Sequence, residues 1–192
     1  DAASSGMLDD PEGRDAEVAR LLADPRAEEM LVAYHEQLLS VSRYGDVTRS
    51  AMLFPEFDAS VPPAMADEVR LFVRDVYESE GGLRDLFTAD FTYANEPLAR
   101  IYDLPGVTGS EMRRVSLAGT ERGGLLTMAG FLATNASSTD SDPIHRGVFV
   151  NHRILCAPLP APPMVVPPLP PEDMSMPRTL RQRIDLHTGA GT

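Results

Sequence analysis

Residues 61–82 read VPPAMADEVRLFVRDVYESEGG and carry the strongest helix signal in the chain. Pro62 and Pro63 suit the first turn of a helix, because the amides of that turn have no acceptor within the helix. The apolar residues that recur at helical spacing are Met65, Val69, Phe72, Val73 and Val76. Gly81 and Gly82 predict a left-handed stop, since glycine reaches positive φ without a Cβ clash. The stretch therefore predicts an amphipathic helix with one buried face.

Two shorter helices are predicted upstream. The first covers Asp15–Ala23, where Val18, Leu21 and Leu22 have helical spacing. The second begins at Asp24-Pro25, an N-cap followed by proline at the first helical position, and runs to about Ser40. The side chains that we expect it to bury are Met30, Leu31, Tyr34, Leu38 and Val41.

Downstream of Gly82 the signals are shorter. Residues 83–87 predict one or two helical turns, and Phe91, Tyr93 and Leu98 are expected to anchor the chain around them. Asn95 is a good N-cap for a helix through Tyr102. Residues 113–117 favour a short extended piece.

Two further helices are predicted in the second half. One follows Gly123-Gly124, has Leu125, Leu126, Met128, Phe131 and Leu132 as its apolar residues, and ends near Asn135. The other begins at Asp142-Pro143 and continues to Cys156.

The most biased segment is 157–171, which contains eight prolines. Such density fixes φ, removes backbone donors and predicts an extended polyproline II strap, with a last short helix over 177–187. No hairpin dipeptide or sustained alternation occurs, so we predict an all-α fold of short amphipathic helices in two small packed units. Residues 1–96 carry a net charge of -13 and residues 97–192 a net charge of +1. The predicted units are a flexible leader (1–14), an acidic helical domain (15–118) and a second helical domain (119–192).

Composition excludes several classes of function. The chain has 192 residues and a net charge of -12, and all 17 of its basic residues are Arg. A nucleic-acid-binding module needs a cationic footprint, which this chain lacks on average. The sequence contains no run of 18 apolar residues, so it predicts no membrane span. With one Cys, the chain cannot build its own disulfide scaffold or an all-Cys metal site.

The histidines are the first candidates for chemistry. His35 follows a buried-looking Tyr34 and is expected at a helix surface. His145 and His152 are seven residues apart, and with Asp140 and Asp142 they outline a metal site or a catalytic group. That spacing separates two imidazoles by about 10 Å along a helix, whereas metal-binding helical pairs favour i, i+4. We therefore predict no metal site and expect Asp142 to act as a helix cap.

Three other motifs favour structural roles. Ser137-Ser138-Thr139 lacks the glycines of a nucleophile elbow and predicts a polar loop. The glycine-rich run 119–124 lacks the Lys-Ser/Thr of a phosphate loop and predicts only the turn that precedes the next helix. Cys156 is either a buried small residue or, in an exported protein, a thiol with a partner elsewhere. No catalytic residue is assigned.

Two long stretches resemble known domains. ARLLADPRAEEMLVAYHEQLL (19–39), GGLRDLFTADFTYANEPLARIYDLPGV (81–107) and EMRRVSL (111–117) resemble the first of a pair of uncharacterised domains in large planctomycete-type and myxobacterial exported proteins. Residues 121–187, with GGLLT, DPIHRG, the proline strap and His187, resemble the second, known as planctomycete cytochrome c. The resemblance covers about residues 19–192.

In that family a Cys-x-x-Cys-His motif follows the position where Thr192 stands, so the resemblance implies haem c in a longer protein. Two thioethers would fix the haem, and the histidine would be its proximal ligand. This chain has no such motif and is expected to bind no haem covalently. Methionine is the usual sixth ligand in small cytochromes, and Met164, Met174 and Met176 lie near the strap. We assign none of them as a ligand and favour the interpretation that they are core or loop residues.

The chain lacks an initiator Met, so we expect it to be a piece of an exported cytochrome-like protein, periplasmic or at the cell surface. Its expected role is a non-catalytic helical scaffold beside a haem segment, serving electron transfer to a redox partner that the sequence does not identify. One alternative is a surface-interaction or carbohydrate-associated module, in which the acidic unit and the proline strap bind a cell-surface or intramolecular partner. The other is an enzyme that uses His145 and His152.

Overall fold

The computed structural model describes residues 1–160, 176 and 178–189, and these are mostly helical with one small sheet. The helices are α1 (Pro11–Leu22), α2 (Arg26–Leu38), α3 (Val61–Glu78), α4 (Leu83–Thr88), α5 (Glu96–Tyr102), α6 (Ala129–Thr134), α7 (Pro143–Phe149) and α8 (Leu180–Gly189). The strands are β1 (Phe91–Ala94) and β2 (Arg113–Ser116). Short 3-10 turns lie at Met7–Asp9, Val41–Asp46 and Leu125–Thr127, and a π-helical turn covers Val150–Ile154.

Helix α3 is the centre of the hydrophobic core. The five side chains predicted to form its apolar face are all buried, as is Val61 at its first position. The face packs against α2 on one side and β1 on the other. Phe72 contacts the Phe91 ring at 5.1 Å between centroids, within the range at which aromatic pairs attract. The predicted amphipathic helix with one buried face is confirmed.

The end of α3 differs in detail from the prediction. Glu80, not a glycine, has the left-handed φ of 55°. Gly81 is needed for a different reason: its amide donates to the Val76 carbonyl at 2.7 Å, and a Cβ there would lie 2.8 Å from that oxygen. Close approach therefore requires the glycine, and the predicted left-handed conformation of Gly81-Gly82 is wrong.

The buried face of α2 is also not the predicted one. Met30 and Tyr34 are 68% and 58% exposed, whereas Val32, His35 and Leu39 are buried. At about 100° per residue, Met30 and Tyr34 fall on the side of the helix opposite to that set, so the predicted stripe was centred on the solvent face. The physical reason is that a polar residue, His35, occupies a core position. Helix α1 likewise leaves Val18, Leu21 and Leu22 about half exposed.

A two-stranded antiparallel sheet modifies the all-α expectation. Phe91 pairs with Ser116 and Ala94 pairs with Arg113. Strand β2 matches the extended piece predicted at 113–117, while β1 was expected only as a set of anchors. Four residues are too few to show a clear alternation of apolar and polar side chains. Strand β1 is therefore defined by its pairing with β2 and not by its own sequence pattern.

The core continues past the predicted boundary at 118/119. Leu125, Met128 and Phe131 belong to the same buried cluster as α3, and α6 contacts α3 directly. Gly124 makes this approach possible: it has φ 62°, and a Cβ there would lie 2.3 Å from the carbonyl carbon of Phe87. The two halves of the described chain therefore share one core.

The C-terminal region is described in part. Helix α7 passes into the π-helical turn, and Leu155 and Cys156 are exposed. Residues 157–160 have no regular structure, while the rest of the predicted strap, 161–171, lies outside the described residues. Helix α8 covers most of the helix predicted at 177–187. Within the ranges that the structure describes, none of the helices combines the length and the hydropathy of a membrane span.

Candidate functional site

The most unusual group in the core is the carboxyl of Glu68, which is 0% exposed. It projects from α3, and its Oε1 accepts hydrogen bonds from Thr92 Oγ1 at 2.5 Å and from the Tyr102 hydroxyl at 2.6 Å. Its Oε2 is buried without a hydrogen-bond partner. One carboxyl thus joins α3, β1 and α5 and keeps an unused oxygen.

Tyr102 extends this network to the second half of the chain. Its hydroxyl accepts a hydrogen bond from the Ala129 amide at 2.6 Å, at the start of α6. The guanidinium of Arg122 lies 4.7 Å from the centre of the Tyr102 ring, a cation–π distance. A relay therefore runs from the α6 backbone through a phenol to Glu68.

Burial sets the charge state of the network. Desolvation raises the pKa of Glu68 to about 7, and the hydrogen bonds from Thr92 and Tyr102 oppose this rise. Burial, reinforced by the charge of Glu68, also raises the pKa of Tyr102 and of Tyr44. The Tyr44 hydroxyl is buried without a hydrogen-bond partner. The network therefore contains one carboxyl that changes charge near neutral pH and phenols that stay neutral.

Glu68 was not among the residues that the sequence singled out. The missed signal was its position: 68 lies between Met65, Val69 and Phe72 on the predicted apolar stripe of α3. A carboxyl on such a stripe is either ion-paired or raised in pKa. Here the carboxyl accepts hydrogen bonds from two hydroxyls and forms no ion pair within the described residues.

His35 was predicted at the helix surface, and that prediction is wrong. The side chain lies in the core and is 7% exposed. Its Nδ1 lies 2.7 Å from the Leu31 carbonyl oxygen, and its ring meets Tyr34 edge-on at 5.2 Å. A hydrogen bond between a ring nitrogen and a carbonyl one turn earlier gives a buried histidine the polar partner that it needs. Its place in the structure is that of a packed residue.

His145 and His152 line the same open groove, of about 520 Å³, together with Asn135 and Phe149. Asp142 caps α7 as predicted, since its Oδ1 accepts from the His145 amide at 3.0 Å, and its Oδ2 lies 2.5 Å from His145 Nδ1. No group of three metal-ligating side chains converges within the part of the chain that the structure describes. The groove holds two imidazoles and no assembled catalytic group.

The remaining sequence candidates lie apart. Ser137 and Thr139 bond within their own loop and to Asp140. Gly119 has φ 84° in a turn. Cys156 is an exposed free thiol, so of the two alternatives the buried one is wrong. Met176 is exposed, and Met164 and Met174 lie outside the described residues.

Haem c requires two cysteine thioethers and an adjacent histidine, and the chain has one Cys. Cys156 lies on the surface after the π-helical turn, and no histidine follows it directly. The residues of this chain therefore do not fit a covalently attached haem.

Two families match consecutive parts of the chain. PSD4, described as a protein of unknown function (DUF1592), matches residues 1–104, more than half of the chain. The chain belongs to the PSD4 family. PSCyt3, described as a protein of unknown function (DUF1588), matches residues 122–192. The predicted pair of uncharacterised, cytochrome c-associated domains is thereby confirmed as a pair of domains of unknown function. No curated protein and no solved structure matches the chain.

Proposed function

We propose that this PSD4–PSCyt3 chain is a helical scaffold in an exported c-type cytochrome-like protein. In this proposal it packs beside a haem-binding segment of the same longer polypeptide and serves electron transfer without catalysing a reaction itself. The observation that carries the proposal is the order of the two matches, 1–104 and then 122–192, in one chain.

The shared core supports a scaffold role. Side chains from both matched segments pack in one buried cluster around α3, and the relay through Tyr102 joins them by hydrogen bonds. Separating these buried hydrogen-bond partners would leave polar groups unpaired in the core, which is costly, so the network favours one arrangement of the elements it connects. Such a chain can hold a neighbouring segment at a fixed distance and orientation, which electron transfer requires.

In this proposal the haem is attached outside residues 1–192, because this chain has a single Cys. When bound, the haem would supply one-electron chemistry. The residues of this chain would contribute packing and would keep water from the side of the cofactor that they cover. Attachment of haem c takes place after export, so the proposal includes a periplasmic or cell-surface location.

The test is expression of the native parent polypeptide in a host with haem c maturation. We expect a Soret band that survives denaturation and precipitation, since thioether bonds hold the porphyrin. The 192-residue chain, expressed in the same host, is the control and is expected to carry no covalent haem because it has one Cys. A parent polypeptide without covalent haem would refute the electron-transfer role. Saturable binding of glycans by that haem-free protein would favour the surface-interaction alternative.

A further inference from the structure

A second cavity, of about 200 Å³, lies between the loop after Val41–Asp46, α5, α6 and α7. Its walls are largely apolar, with Phe54, Phe57, Ile101 and Leu132 among them. Three arginines from distant parts of the chain also line it: Arg49, Arg122 and Arg146. Cationic groups thus converge on an apolar space in a chain of net charge -12.

None of the three guanidiniums is ion-paired with a carboxylate within the described residues, whereas six other arginines are. Their hydrogen bonds go to backbone carbonyls. Arg146 Nη2 donates to Leu132 at 2.9 Å and Arg122 Nη1 donates to Thr127 at 2.9 Å. Arg49 donates to the carbonyls of residues 133 and 137. Each guanidinium has five N–H donors, so donors remain for a ligand.

Three acids lie near these arginines without forming an ion pair with them. The charge of Glu68 acts on Arg122, but Glu68 Oε1 accepts hydrogen bonds from Thr92 and Tyr102. Asp140 lines the cavity, and its carboxylate accepts from the Thr139 hydroxyl at 2.9 Å. Burial lowers the pKa of Arg146, and the charge of Asp142 only partly opposes this; the oxygens of Asp142 bond His145. The positive charge of the cavity is therefore not neutralised by direct contact.

Two further observations indicate a missing anion. Arg146 Nε is buried without a hydrogen-bond partner, and a buried donor left unpaired is costly. Burial, and then the charge of Arg146, lower the pKa of Arg49, so the two cations repel each other. An anion between them would remove the repulsion and supply an acceptor.

We propose that this cavity binds a small carboxylic acid with an apolar body, such as an aromatic or short-chain aliphatic acid. The carboxylate would lie among Arg49, Arg122 and Arg146, because guanidinium and carboxylate form parallel hydrogen bonds. The hydrocarbon part would pack against Phe54 and Phe57. The volume is below that of a typical drug-sized pocket, about 300–1,000 Å³, which restricts the ligand to a small acid. This site is independent of the proposed electron-transfer role.

The test is calorimetric titration of the 192-residue chain with benzoate and hexanoate. We expect saturable 1:1 binding of at least one of them. Benzamide is a neutral analogue, and inorganic phosphate is an anion without an apolar body. Each should bind at least about tenfold more weakly than the acids, since benzamide lacks the charge and phosphate lacks the apolar surface to bury. Absence of saturable binding by both acids would overturn the proposal, and phosphate binding as tight as that of the acids would do the same.

The variant Arg146→Gln should weaken binding of the acid about tenfold or more, since it removes the charge and its fork of donors. Arg153→Gln is the matched control, because Arg153 is exposed and lines the neighbouring histidine groove instead. Arg49→Lys, which keeps the charge but loses the planar fork, gives an independent variant should Arg146→Gln fail to fold. Unchanged affinity in a folded Arg146→Gln or Arg49→Lys variant would contradict the assignment.

Discussion

Replacing Glu68 with Gln tests whether the buried carboxyl controls stability near neutral pH. Glu68→Gln keeps the shape of the side chain and an oxygen that can accept from Thr92 and Tyr102, but it cannot ionise. The native side chain, with its pKa raised to about 7 by burial, ionises inside the core as the pH rises. The variant therefore isolates the cost of that charge.

The size of the effect follows from the two pKa values. The ordinary value of the carboxyl is 4.5 and its folded value is about 7, and each tenfold change in proton affinity corresponds to about 1.4 kcal/mol. Because the folded value is the higher one, the stabilising contribution is fully present below pH 4.5 and is lost as the pH rises to about 7. The free energy of unfolding of the native chain should fall by about 2–3 kcal/mol between about pH 5 and 8 from this group alone.

The assay is urea unfolding at fixed ionic strength from acidic to mildly alkaline pH, followed by far-ultraviolet circular dichroism because the chain has no Trp. The quantity compared is the difference in unfolding free energy between Glu68→Gln and the native chain, in which other titrations cancel. We expect the variant to gain about 2–3 kcal/mol relative to the native chain across that range. Glu78→Gln, at an exposed position of the same helix, is the control.

Parallel stability profiles for the native chain and Glu68→Gln would refute the reasoning. A profile that diverges in the opposite direction, with the native chain gaining stability as the pH rises, would show that the carboxyl is ion-paired in solution. Divergence of the Glu78→Gln control by the same amount would remove the link to burial.

Three further substitutions test the packing. Tyr102→Phe removes the hydroxyl that joins the two halves and should cost about 1–3 kcal/mol of unfolding free energy in urea, because it leaves buried groups unpaired; a neutral result would exclude the relay. Phe131→Ala should cost about 3–5 kcal/mol and lower a single melting transition, whereas two separate transitions in calorimetry would contradict a shared core. Gly124→Ala should cost more than about 1 kcal/mol by thermal melting, because its φ is positive and a Cβ would overlap the Phe87 backbone. Gly45→Ala, with nothing near its Cβ, should change stability by less than about 0.5 kcal/mol, and equal effects at both glycines would argue against the close approach.

The sequence predicted helix α3 well because its apolar residues keep helical spacing over several turns and its start is marked by two prolines. The Asn95 and Asp142 caps were predictable for a similar reason, since capping depends on residues within one turn. Both caps are present, with Asn95 Oδ1 accepting from the Leu98 amide at 3.2 Å. Local chemistry at these positions agrees with the final structure.

Other features depend on contacts between distant residues and were not predictable. His35 and Glu68 are polar side chains on buried faces, and hydrophobic periodicity places such residues in solvent. Strand β1 exists because 113–116 pairs with it. The arginine cavity assembles residues 49, 122 and 146 from three separate segments. Apart from the position of Glu68 on the apolar stripe of α3, these features leave no signal in single-sequence patterns, because they require the tertiary fold.

The proposed scaffold role is tested most directly on the protein from its native cells. The polypeptide that contains this chain should be isolated, denatured in pyridine, and its reduced spectrum recorded alongside the mass of its peptides. We predict the spectrum of a haem with both vinyl groups saturated by thioethers, on a peptide outside residues 1–192. A polypeptide of confirmed sequence that shows no haem absorption in that measurement would contradict the role.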